Sequence, residues 1–95
     1  MKIHVVMGTT GEYSDRIEWP VAAYADETMA IAHVVVASAE ARKLYEARHG
    51  ADTALRTAAD PNRSIDYTGT PYDIVEVDLR DEVPEPFAPA PEKAS

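Results

Sequence analysis

A stretch of 24 residues, Asp26 to His49, contains neither glycine nor proline, and it limits the possible folds more than any other feature of the chain. It is rich in Ala, Glu, Arg and Lys, side chains that lose little rotamer freedom in a helix. Ala30, Val34, Ala37, Ala41, Leu44 and Arg48 recur at steps of three and four residues, flanked by Ile31, Val35, Ser38 and Tyr45. The spacing predicts one long helix with an apolar stripe wide enough to lie across a sheet. Asp26 is placed to cap its first turn, and Glu27 puts a negative charge where the helix dipole favours one. Gly50 follows as the left-handed residue past the end, with Arg48 and His49 in the last turn.

Strands flank this helix. Lys2 to Met7 alternates Ile3, Val5 and Met7 with Lys2, His4 and Val6, the period of a half-buried strand. Gly8 to Ser14 is dense in turn formers and is expected to end it. Asp15 to Ala25 reads as a second strand, with Ile17, Trp19, Val21 and Ala23 on one face. Pro20 cannot donate a ladder hydrogen bond, which puts that strand at a sheet edge or gives it a bulge. The first strand is therefore expected in the centre. Ala51 to Ala59 reads as a short second helix, broken by Asp60-Pro61-Asn62. Thr68-Gly69-Thr70-Pro71 is a turn, and Tyr72 to Leu79 is a third strand, with Asp73, Val75, Val77 and Leu79 opposite Tyr72, Ile74, Glu76 and Asp78. The expected fold is a two-layer α+β domain of β-β-α-β order spanning residues 1–80, a three-stranded antiparallel sheet packed by one helix. Residues 81–95, with Pro84, Pro86, Pro89 and Pro91 among scattered acids and alanines, read as a disordered tail.

Ninety-five residues make one domain. The chain has no cysteine, which removes disulfides, thiolate metal sites and cysteine nucleophiles. It shows no secretory leader and no apolar run near the roughly 20 residues that span a bilayer, so a cytoplasmic protein is expected. Gly8-Thr9-Thr10-Gly11 lacks the Gly-Lys-Ser/Thr ending of a phosphate loop, and Glu12 and Asp15 supply the wrong charge. Asp60-x-Asn62-x-Ser64-x-Asp66 alternates oxygen ligands as a calcium loop does. It has Ile65 where such a loop needs glycine and Pro71 where it needs a bidentate glutamate. Asn62-Arg63-Ser64 matches a glycosylation acceptor with no secretory route to use it. His4, His33 and His49 lack the spacing that places two ligands on one helical face, and their expected places are the outer face of the sheet, a helix edge and the helix end. Ser14-Asp15 reads as a turn and not as a nucleophile with its partner. No active site emerges and no cofactor is expected.

Charge is the more informative feature. Seventeen acidic against nine basic residues leave a net charge of -8, a balance unsuited to gripping phosphate backbones directly. By segment the charge is -1 over 1–25, -1 over 26–50, -3 over 51–80 and -3 over 81–95. On the third strand Glu76 and Asp78 are expected to stand in a row toward solvent. With Asp60, Asp66 and Asp73, and with Tyr67 and Tyr72 as rigid aromatic anchors, they form a candidate surface for a basic partner.

The loop GEYSD after the first strand and the segment DYTGTPYDIVEV leading into the last resemble small uncharacterised proteins encoded by phages and prophages. The resemblance spans Lys2 to Leu79 and carries no catalytic residues. It implies a non-enzymatic inhibitor, similar in size and charge to anti-CRISPR proteins, that occludes the nucleic-acid-binding surface of a host protein such as a CRISPR effector, without touching nucleic acid or membrane itself. The alternative expectation is an assembly module that forms a homodimer through a sheet edge.

Overall fold

The structure, a computed structural model, describes residues 1–47, 56–64, 66 and 68–84. Its elements are β1 (Lys2–Thr10), β2 (Ile17–Tyr24), α1 (Glu27–Ala47) and β3 (Tyr72–Asp78). The three strands form one antiparallel sheet in the order β2-β1-β3, with β1 in the centre, and α1 packs on one face. This is the expected α+β architecture.

β1 runs three residues further than its alternation suggested, because Gly8 pairs with Trp19 and Tyr72, Thr9 with Glu18 and the Pro71 carbonyl, and Thr10 with Ile17. Gly8 lies beneath the Trp19 indole: a Cβ at residue 8 would sit 2.7–2.8 Å from three ring atoms. The turn begins only at Gly11, which adopts φ +90°, and a Cβ there would meet the Asp15 carbonyl oxygen at 2.4 Å. Asp15 closes the β1–β2 connection by accepting the backbone N–H groups of Glu12 and Tyr13. Those two donors hold its carboxyl below the usual aspartate range.

Pro20 sits on an edge strand beside a bulge. The β1–β2 register pairs Val6 with Ala22 but Met7 with Pro20, so Val21 is the extra residue. That residue reverses the parity of β2. Ile17 and Trp19 pair with Thr10 and Gly8 on the helix side, and beyond the bulge Ala22 and Tyr24 pair with Val6 and His4 on the same side. Ala23 therefore faces away from α1, and the expected single face of Ile17, Trp19, Val21 and Ala23 is divided. His4 likewise belongs to the helix-side parity, opposite Tyr24 and Glu76, and not to the outer face.

Asp26 caps α1: its carboxylate accepts the Thr28 N–H at 2.9 Å and its carbonyl accepts from Met29 and Ala30. The helix meets the sheet through small side chains. Ala30, Ala37 and Ala41 are buried, and Val34 and Leu44 are half-buried. Among the described residues, Val6 and these alanines are the buried hydrophobic side chains, a slender core. The opposite sheet face presents Ile3, Val5, Met7, Val75 and Val77 with no layer over it among the described residues, and the two valines are 47% and 43% exposed.

Residues 56–59 are not helical, against the expectation of a short helix over 51–59; residues 51–55 lie outside the described residues. Thr57 and Asp60 bond each other instead: the Asp60 N–H reaches both the carbonyl and the hydroxyl of Thr57, and the Thr57 N–H returns to the Asp60 carbonyl. Local side-chain bonding of this kind competes with helix. The expected helix end at Arg48, His49 and Gly50, and residues 85–95 of the expected tail, also lie outside the described residues, while residues 81–84 are exposed.

Candidate functional site

The segment between α1 and β3 folds over the helix-side face of the sheet and carries charge into the interior. Asp60, Arg63 and Asp66 have no exposed surface. Asp60 accepts the Trp19 indole N–H at 3.0–3.1 Å and the Tyr72 hydroxyl at 2.5 Å. Arg63 forms an ion pair with Asp66 and donates through Nε to the Thr70 hydroxyl at 3.2 Å. Asp66 also accepts the Gly69 N–H at 2.7 Å and the Thr10 hydroxyl at 3.4 Å. The Thr10 hydroxyl lies 3.1 Å from the Gly69 carbonyl, a second acceptor within its reach.

Each carboxylate is surrounded by donors, and a buried charge is tolerated when it is paired and hydrogen-bonded. Burial and the neighbouring Asp60 carboxylate push the Tyr72 hydroxyl well above its ordinary range, so it remains a donor. No buried side-chain oxygen or nitrogen among the described residues lacks a partner. A cluster with its lone pairs occupied in this way holds a loop in place.

Further bonds pin the same segment from outside. The Asn62 amide donates to the Pro20 carbonyl at 2.7 Å, and the Ala59 N–H donates to Glu40 at 3.3 Å. His33 Nε2 lies 2.6 Å from the Ala59 carbonyl, and its Nδ1 lies 2.6 Å from the Tyr24 hydroxyl. A carbonyl can only accept, so Nε2 carries a proton and donates it to Ala59, while Nδ1 shares a hydrogen bond with the Tyr24 hydroxyl. His33 thus links β2, α1 and the loop instead of standing at a helix edge. Among the described residues, no three His, Asp or Glu side chains gather as metal ligands. The carboxylates of the calcium-like pattern are both turned onto protein donors.

The residues proposed from sequence as one partner surface fall into three groups. Asp60 and Asp66 are interior, and the Tyr72 hydroxyl is spent on Asp60. The expectation that these three face a partner is corrected by the loop that folds them inward. Asp73, Glu76 and Asp78 are exposed along β3. Tyr67 lies outside the described residues. Arg63, Trp19 and Thr10, which organise the interior cluster, escaped the sequence reading. The signal for them was the Arg63-x-x-Asp66 spacing, which alone does not distinguish a buried pair from a solvated one.

β3 is an outer strand of the sheet. Its ladder to β1 ends with the Thr9 N–H on the Pro71 carbonyl and the Leu79 N–H on the Met1 carbonyl. Bonded pairs alternate in antiparallel strands, so residues 73, 75 and 77 direct their main-chain groups toward β1. Tyr72, Ile74, Glu76 and Asp78 direct theirs away from the sheet. The Asp73 carboxylate accepts the outward Ile74 N–H at 2.8 Å. Asp78 pairs with Lys2 at 2.9 Å, an exposed contact that lowers its carboxyl and raises the lysine. Among the described residues, the edge therefore presents outward main-chain groups at Tyr72, Glu76 and Asp78, while the Ile74 N–H is taken by Asp73.

Two depressions adjoin α1. A shallow cleft of about 910 Å³ lies between the C-terminal half of the helix and residues 68–71, with Arg42, Lys43 and Tyr45 on its wall. A smaller groove of about 380 Å³ runs between Met29, Ala32, Val36 and Ala58, with His33 and Glu40 along it. No described helix is long and apolar enough to cross a membrane. No protein-family model, curated protein or solved structure matches the chain.

Proposed function

We propose that this chain is a non-enzymatic binding protein that takes a basic, extended segment of a partner protein onto the outer edge of β3. The observation that carries this reading is the outward row of main-chain groups at Tyr72, Glu76 and Asp78, flanked by the exposed carboxylates of Asp73, Glu76 and Asp78. An added strand gains affinity from main-chain bonds and selectivity from alternate side chains. Here one set of the partner's side chains meets carboxylates and the other lies beside Val75 and Val77. An inhibitor that covers a basic nucleic-acid-binding surface, as the phage resemblance implies, is one form such a module takes. The interior cluster supports the same reading, because its polar groups are committed to holding the loop beside β3.

Pairing of one β3 with another copy has less support. It would bring like charges together across the new ladder, which destabilises strand pairs. β2, the other edge, carries Pro20 and the bulge, both of which obstruct pairing.

The test uses a synthetic peptide of alternating lysine and valine as the probe, with amide exchange on the whole chain as the readout. Binding is expected to protect the Glu76 and Asp78 amides and to weaken as salt rises. Glu76→Pro removes an outward donor and leaves the β1 ladder intact, so it should abolish binding without unfolding the domain. Glu76→Gln, which keeps the donor, should retain binding at reduced strength. Protection elsewhere, or unchanged binding by Glu76→Pro, overturns the reading.

A further inference from the structure

One outward donor of β3 is withheld from any strand that comes alongside. Residues 73, 75 and 77 spend their main-chain groups on β1, which leaves the Ile74 N–H pointing away from the sheet. The carboxylate of the preceding residue, Asp73, accepts it at 2.8 Å. A strand laid along β3 needs that donor, because its affinity comes from main-chain bonds. Asp73 therefore sits where a carbonyl of the partner would bond. A charged side chain over an edge strand discourages indiscriminate pairing.

A cation is what draws such a carboxylate away. Asp73 shares a sheet face with Val75 and Val77, and its counterpart in the β1 register is Met7. Among the described residues no cation pairs with it. Asp78 differs, being bonded to Lys2 at 2.9 Å, and that lysine feels Glu76 only at longer range. Asp73 and Glu76 are thus the exposed β3 carboxylates that an incoming lysine or arginine engages without breaking an ion pair. They stand three residues apart, and side chains alternate along a strand, so the two project from opposite faces. Residues directly opposite in neighbouring strands share a face, so the two cations that meet them are also three residues apart.

We infer that Asp73 sets the selectivity of the β3 edge: it masks the Ile74 donor until an extended segment with lysine or arginine at positions i and i+3 draws its carboxylate away. One cation pairs with Asp73 and releases the Ile74 N–H to the new ladder, and the other pairs with Glu76. A strand without a cation opposite Asp73 meets a masked donor and a lone carboxylate. This inference rests on the β3 reading and narrows the partner which that reading takes.

The test uses short threonine-valine peptides carrying two lysines at spacing three, two lysines at spacing two, or none. The first should bind the unmodified chain about two- to fivefold more tightly than the second, which reaches only one of the two carboxylates on each face. The lysine-free peptide should bind weakest. Asp73→Ala, at an exposed position and checked for folding by circular dichroism, should abolish or reverse the preference for spacing three. It should also bind the lysine-free peptide about three- to tenfold more tightly than the unmodified chain does. In the free chain the same substitution should speed Ile74 amide exchange at least about threefold, after correction for intrinsic rates, and leave Val75, bonded to β1, unchanged. Unchanged Ile74 exchange, unchanged binding of the lysine-free peptide, or a preference of the unmodified chain for spacing two overturns the inference. Where Glu76→Pro still abolishes binding of the spacing-three peptide, the β3 reading survives that result. Failure of the spacing-three peptide to bind the unmodified chain overturns both.

Discussion

Replacing Arg63 with methionine tests whether the interior charge cluster holds this fold together. Methionine keeps much of the volume and removes the cation from beside Asp66, a carboxylate with no exposed surface. Breaking a buried ion pair by removing one member costs about 3–5 kcal/mol, because the other charge stays desolvated. The whole domain is expected to be stable by roughly 4–12 kcal/mol, from about 0.05–0.15 kcal/mol for each of its ordered residues. Arg63→Met should therefore remove about a quarter or more of the total and bring the chain toward its folding threshold. The single tryptophan, Trp19, is bonded to Asp60 of the same loop, so its emission follows unfolding directly. With a urea dependence of about 1 kcal/mol per molar for so small a chain, the midpoint should fall by about 3–5 M. Asp66→Asn supplies the decisive control. The amide oxygen still accepts from Gly69 and Thr10, but no buried charge is left behind, so the pair Arg63→Met/Asp66→Asn should regain about 2 kcal/mol over Arg63→Met alone. If Arg63→Met costs less than about 1 kcal/mol, or if Asp66→Asn adds its own full cost on top, the cluster is not the clamp described here.

Two further outcomes follow from the same interior. Gly8→Ala places a methyl group 2.7–2.8 Å from the Trp19 ring, and the displaced indole loses Asp60. Thermal or urea unfolding should show a loss of about 2–3 kcal/mol, falling below about 1 kcal/mol when Trp19 is already leucine. The Tyr72 hydroxyl is raised by burial and by Asp60, so the folded chain holds its proton where the unfolded chain releases it. Its contribution is complete below about pH 10 and is lost as pH rises beyond that. Absorbance of ionised tyrosine should show Tyr72 titrating only as the domain unfolds, and Tyr72→Phe should make the wild-type and variant stabilities converge in alkali.

How much of this was legible in the chain can be judged residue by residue. The Gly- and Pro-free stretch and the Asp26 cap announced α1, and Pro20 announced that β2 would be an edge with β1 inside. These signals are local: a proline lacks its donor wherever it sits. The parity of β2 was not legible, because one extra residue at Val21 turned Ala23 to the other face, and nothing in an alternating pattern marks where a bulge falls. The candidate site divided for a similar reason. Asp73, Glu76 and Asp78 lie on a strand whose exposure follows from its pattern, whereas Asp60 and Asp66 lie on a loop whose direction depends on what it folds against.

The sequence by itself determined the three strands, the long helix, their order and the sign of the net charge, because periodicity, capping and composition act over a few residues. Only the tertiary structure decided that two of the acidic residues turn inward. Trp19, Thr10 and Tyr72 come from distant parts of the chain, and Asp60 and Asp66 can leave water only where those donors, with Arg63 and Gly69, converge.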